Sequence, residues 1–174
     1  MKPMRSRVKS VAYTGSLASL AIVLSYLEAI SGIDRLLPVY GIKLGLSNAA
    51  VMIAALTVSL WSGAAVALVK VLVTSLLFGT PTAFAFSLSG ALLSYLFIAF
   101  AVKHPKAGFS PFGISIGASA LHISGQLLAA SIILNNTDLL FMLPTYLLLS
   151  VLSGAIIGIL TQLVLTGINK LKRR

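Results

Sequence analysis

Seven polar side chains interrupt an otherwise apolar chain: Glu28, Lys43, Asn48, Lys70, Thr74, His122 and Gln126. Two pairs have helical spacing. His122 and Gln126 stand four apart inside SALHISGQLLAAS, and Lys70 and Thr74 stand four apart inside VALVKVLVTSLLF. Residues four apart on a helix share a face. Two ammonium groups, an imidazole, two amides and a hydroxyl against one carboxylate form a donor-rich set. Such a set suits the capture of a small anionic or acceptor-rich molecule. These seven residues are expected to bind substrate and none to be catalytic.

Each residue also has a plainer reading. Lys70 could snorkel to an interface. Glu28 and Lys43 could form an ordinary interfacial ion pair. Asn48 could bond between helices or cap one, and His122 could be a satisfied interior histidine. As a set they are harder to dismiss, because a charge at a bilayer centre costs at least about 2.5–3.5 kcal/mol on insertion scales. The set is expected to line one cavity open to the outside.

Other chemistries are excluded by what is missing. There is no Walker A pattern for ATP hydrolysis. The three acids, Glu28, Asp34 and Asp138, lie 6 and 104 residues apart, so no acidic motif holds Mg²⁺ for prenyl transfer. Two isolated histidines and no cysteine make no metal cluster and no disulfide. No Ser-His-Asp set is credible. The expectation is therefore a protein that is not an enzyme and carries no cofactor and no metal.

The elements that carry these residues must be membrane spans. Hydrophobic residues make up 58% of the 174, and charged ones only 9%, against about 25% charged in soluble domains. Mean hydropathy is +1.04. Breaks at Gly, Pro, Asn and charged residues divide the chain into six runs: 8–31, 44–60, 64–78, 83–102, 112–134 and 139–168. A spanning helix needs about 20 mostly apolar residues, so the last run is long enough to tilt or to begin at the interface. Helices are expected because lipid cannot satisfy an open sheet edge. The basic start followed by an apolar run reads as a retained first helix, not a cleaved signal. One transmembrane domain should therefore fill residues 1–174, with short basic tails at 1–9 and 169–174.

Basic residues orient the bundle. With six spans, Lys2, Arg5, Arg7, Lys9, Lys103, Lys106, Lys170, Lys172, Arg173 and Arg174 fall on one side. Only Arg35 and Lys43 fall on the other. By the positive-inside rule the first side is the cytoplasm. The class expected is an all-α, multi-pass protein of the cell membrane: a compact bundle of six transmembrane helices with both termini cytoplasmic. The net charge of +10 is too dispersed to suggest nucleic acid. Small residues recur at packing distance in Ala12/Ser16, Gly15/Ser19, Gly113/Gly117 and Gly154/Gly158. Such pairs let helices approach closely in lipid. They could pack this bundle internally, or the first helix could also offer its small face to a partner subunit.

Several blocks carry a family likeness: Tyr-Leu-Glu at 26–28, Gly-Ile-Lys-Leu-Gly-Leu-Ser-Asn at 41–48, and Leu-Val-Lys-Val-Leu-Val-Thr-Ser-Leu-Leu-Phe-Gly-Thr at 68–80. Phe-Ser-Leu-Ser-Gly-Ala-Leu-Leu-Ser at 86–94 and Ala-Leu-His-Ile-Ser-Gly-Gln-Leu-Leu at 120–128 follow. In these the chain resembles the Gx transporter family, also described as heptaprenyl diphosphate synthase component I, over about residues 10–165. That family stands with the substrate-binding S components of energy-coupling factor (ECF) vitamin transporters. Its pattern has Arg where this chain has Lys70, and Asn where it has Ile123.

The resemblance implies a six-helix protein that captures a small molecule from outside. It would then dock a transmembrane coupling subunit driven by two ATPases. Ala12, Gly15, Ser16 and Ser19, with Ala18 beside them, would be the docking residues, and the loop 32–43 would cover the ligand. An isoprenoid- or quinone-related solute would fit the family's name. The alternative is a membrane accessory subunit of a prenyl (heptaprenyl) diphosphate synthase. A free-standing transporter is disfavoured, because the chain shows no inverted repeat or pair of broken helices.

Overall fold

The computed structural model describes residues 4–32 and 42–172. Six α-helices run in order: α1 Met4–Ile30, α2 Asn48–Thr57, α3 Leu60–Phe78, α4 Pro81–Lys103, α5 Pro111–Ile133 and α6 Leu143–Lys172. Short 3-10 turns at Pro105–Ala107 and Thr137–Met142 precede α5 and α6. No strand occurs among the described residues. Five of the helices are long and apolar enough to cross a bilayer, which makes the protein an all-helical, multi-pass membrane protein. The expected starts follow from local chemistry. Thr80 and Ser110 accept the backbone N–H groups of Ala83 and Gly113, and Pro81 and Pro111 occupy the first turns. A proline there costs no hydrogen bond, because its missing N–H would be unpaired anyway.

The second run departs from the sequence expectation. Its helix covers 10 residues, about 15 Å at 1.5 Å per residue, against a hydrocarbon core of about 30 Å. Residues 42–47 ahead of it are not helical. The short helix is nonetheless the hub of the bundle. It touches all five others, and Asn48 through Ala55 are buried. Its alanines explain this, since Ala49, Ala50, Ala54 and Ala55 present so little side chain that neighbouring backbones can close on it. Gly63 of α3 sits so near that a Cβ there would lie 2.8 Å from that of Ala55.

Around α2 pack Ala18 and Ala21 of α1, Val66 and Ala67 of α3, Ile98 of α4, and Ile114 and Ala118 of α5. A second apolar cluster joins Ile42, Phe86, Ile123, Leu127 and Tyr146. The large apolar side chains on the outside, among them Leu76, Ile132 and Leu148, are what a lipid-facing surface requires.

The small-residue pairs now separate by use. Gly154 and Gly158 are internal, because a Cβ on either would lie within 3 Å of α5. A Cβ on Gly15 would meet nothing within 4 Å. Ala12, Gly15, Ser16 and Ser19 are exposed, whereas Ala18 is turned inward and buried. Among the helices α1 touches only α2 and α3. Only 17% of its apolar window is buried, against 50% for α5. With Trp61 and Val69 of α3, the face bearing Gly15 and Ser19 lines an open groove of about 600 Å³.

Candidate functional site

The non-helical stretch 42–47 is where the seven polar residues meet. Backbone groups outside a regular helix need other partners where they are buried, and side chains can supply them. Two of the seven act in that way. Gln126 of α5 accepts the Lys43 backbone N–H at 2.9 Å and donates to the Lys43 carbonyl at 2.7 Å. An amide side chain can do both at once, as a neighbouring strand would. Glu28 of α1 accepts the Gly45 backbone N–H through Oε1 at 2.8 Å. The strap is anchored further by Ile42, which is fully buried in the second apolar cluster.

Glycine supplies the room. Gly45 has φ +84°, a left-handed conformation that other residues adopt only at a cost. A Cβ there would also come within 2.8 Å of the His122 ring and 2.9 Å of Asn48 Nδ2. From the other side, a Cβ on Gly90 of α4 would lie 2.7 Å from the His122 carbonyl oxygen and 2.8 Å from Gln126 Cγ. His122 is thus held between two bare backbones. Gly90→Ala is therefore expected to push α4 and α5 apart where His122 and Gln126 are held. The cost is about 1–3 kcal/mol, as for other overpacked sites, and it should appear as a lowered melting temperature in detergent. Gly167→Ala is the control, because a Cβ at that exposed helical glycine would meet nothing.

Beneath the strap is a polar void of about 10 Å³, roughly the space of one water molecule. Glu28, Lys43, Lys70, Thr74 and His122 line it, joined by Ser25, Gly45, Ser47 and Ser87. Asn48 and Gln126 stand behind this lining. Lys70 is buried and donates its ammonium hydrogen to Asn48 Oδ1. Three buried polar atoms have no hydrogen-bond partner here: Glu28 Oε2, Asn48 Nδ2 and His122 Nδ1. Buried groups are rarely left so, since each costs about 1–3 kcal/mol. Glu28 therefore spends one oxygen on the Gly45 backbone and leaves the other unpaired, which is not the interfacial ion pair with Lys43.

The three serines and Gly45 were not among the expected residues. Ser25 is three before Glu28 and shares its face, a signal the sequence does contain. Ser87 and Gly90 lie in a block quoted for its likeness, but nothing local distinguishes them from packing residues. Of the expected ligand cover at 32–43, residues 33–41 lie outside the described residues, as do Lys2, Arg35 and Arg173–Arg174 of the charge count. No cluster of three or more metal-binding side chains occurs among the described residues.

The short second helix, the strap and the void all lie within a single family match. A family model described as heptaprenyl diphosphate synthase component I covers residues 17–164. No curated protein and no solved structure matches.

Proposed function

The chain belongs to the heptaprenyl diphosphate synthase component I family, and from that premise we propose that it is the solute-capturing S component of an ECF-type importer. It takes a small solute from outside, with both termini in the cytoplasm, and works with a transmembrane coupling subunit and two ATPases. It has no catalytic activity of its own. The observation that carries this reading is the unwound backbone at 42–47, tied by side chains from α1 and α5 over three unpaired buried polar atoms. Irregular backbone at membrane depth is tolerated where it lines a cavity, and a solute can complete the missing hydrogen bonds. The surplus of donors favours an acceptor-rich or anionic solute, with isoprenoid- or quinone-related molecules among the candidates.

In this reading Lys43, Lys70, Thr74 and His122 face the solute, Glu28 contributes its free oxygen, and Asn48 orients Lys70 from behind the lining. Gln126 holds the strap in place. The exposed face of Ala12, Gly15, Ser16 and Ser19 receives the coupling subunit. That helix has few internal obligations, so a partner can seat on it without unpacking the core.

The family's description supports a second reading, a membrane accessory subunit of a heptaprenyl diphosphate synthase. Purification of the tagged chain from membranes in mild detergent separates the two. The first reading expects two ATPases and a membrane coupling protein to come with it; recovery of a soluble prenyl synthase instead would establish the second. Gly15→Leu and Ser19→Leu should each abolish that association while leaving the melting temperature unchanged, because both positions are exposed on the open groove and a Cβ at Gly15 meets nothing. Capture that survives both changes would move the docking surface elsewhere.

A further inference from the structure

The unpaired atoms under the strap say more than that a solute is acceptor-rich. The Asn48 amide has a settled orientation, since its Oδ1 takes the Lys70 ammonium; the unpaired Nδ2 is therefore a true donor. Lys70 spends one of three hydrogens in that bond. Glu28 has the opposite character. Its Oε1 is spent on Gly45, and its unpaired Oε2 faces the same lining. Glu28 and Asn48 are each only 4% exposed, so bulk water reaches neither, and the void has room for a single small group. A solute offering acceptors alone would satisfy Lys70 but would press an oxygen lone pair against Glu28 Oε2, since both residues line the void.

Resting on the solute-capture reading, we propose that this site takes a phosphate group carrying one proton, as in hydrogen phosphate or a phosphate monoester, and rejects oxyanions without one. The P–OH oxygen enters the void, where it donates its hydrogen to Glu28 Oε2 and accepts a spare hydrogen of Lys70, both of which line it. The void admits one oxygen atom at its present volume, so the group enters by a single corner. Its remaining oxygens lie on the side of Lys43, which is partly exposed. Glu28 acts as the filter, because a carboxylate in a donor-lined site rewards only a group that brings a hydrogen.

The test uses the detergent-purified full chain and labelled inorganic phosphate near neutral pH, with sulfate, arsenate and glycerol as competitors at constant ionic strength. Arsenate shares the proton and should compete as phosphate does. Sulfate has the same shape without the proton and should be weaker by on the order of 100-fold or more, as for a buried site that loses its required hydroxyl. Glu28→Gln should keep the Gly45 bond through its amide oxygen and turn an NH₂ toward the void, so that sulfate now competes with phosphate. Sulfate equal to phosphate on the unaltered chain would overturn the proposal even if the variant fails to fold. So would no retained phosphate, competition by glycerol matching arsenate, or a folded Glu28→Gln protein with its preference unchanged. None of these measurements involves the partner subunits, so a failure here leaves the importer reading to its own pull-down test.

Discussion

Gln126→Glu is expected to destabilise the folded protein by about 3 kcal/mol or more, read as a shift of the unfolding midpoint in detergent. The glutamate oxygen can still accept the Lys43 N–H. It cannot donate to the Lys43 carbonyl, which the native amide reaches at 2.7 Å. The result is a buried carbonyl facing a carboxylate oxygen at a position with no solvent exposure. An unsatisfied buried group costs about 1–3 kcal/mol, and burying the new charge without a partner adds to it. Gln126→Leu should also weaken the fold, because it leaves both backbone groups of Lys43 unpaired. Lys106→Gln is the control. Lys106 is exposed in the turn between α4 and α5, outside the candidate spans, and a surface change of this kind should stay within about 0.5 kcal/mol. If the two variants melt alike, the strap does not depend on Gln126.

Lys70→Met should leave the bundle folded and lower solute retention by about 10- to 100-fold, as expected for loss of a hydrogen bond to a charged group worth about 1.5–3 kcal/mol. Methionine keeps an unbranched stem of similar length and fills the same apolar path. What disappears is the ammonium, and with it the hydrogen bond that orients Asn48. Asn48 Oδ1 then joins Nδ2 in having no partner. The measurement is the amount of solute released on denaturing the purified protein, variant against unaltered chain. His122→Ala should add to the loss, since it empties the space between Gly45 and Gly90. Lys103→Met, at an exposed position at the end of α4, should retain solute normally. Full retention by a well-folded protein lacking both Lys70 and His122 would remove these residues from the site.

The two variants act on different parts of one device. Gln126 supports the backbone of the strap, and Lys70 sets the chemistry beneath it. That division explains why a polar pair four apart on α5 need not share a task. His122 reaches the void, while Gln126 reaches past it to the chain that closes it. Helical spacing places two side chains on a common face, but it does not state whether each will meet a solute or a backbone.

The sequence by itself determined the all-helical, membrane-crossing character, most helix boundaries and the shortlist of polar residues. Apolar length, capping residues and proline position are local properties, and a charge in an apolar run is conspicuous wherever it falls. Only the tertiary structure decided that the second run breaks into a short buried helix and a strap. The strap's hydrogen bonds come from Glu28 and Gln126, 17 and 83 residues away, and no local pattern records a partner at that distance. Likewise, all four small-residue pairs have the same spacing. Gly154 and Gly158 are covered and Gly15 is left open because α6 packs along α5 while α1 stands at the edge. Packing order is a property of the whole chain, which is why the exposed face of α1 and the lining of the void emerged only in three dimensions.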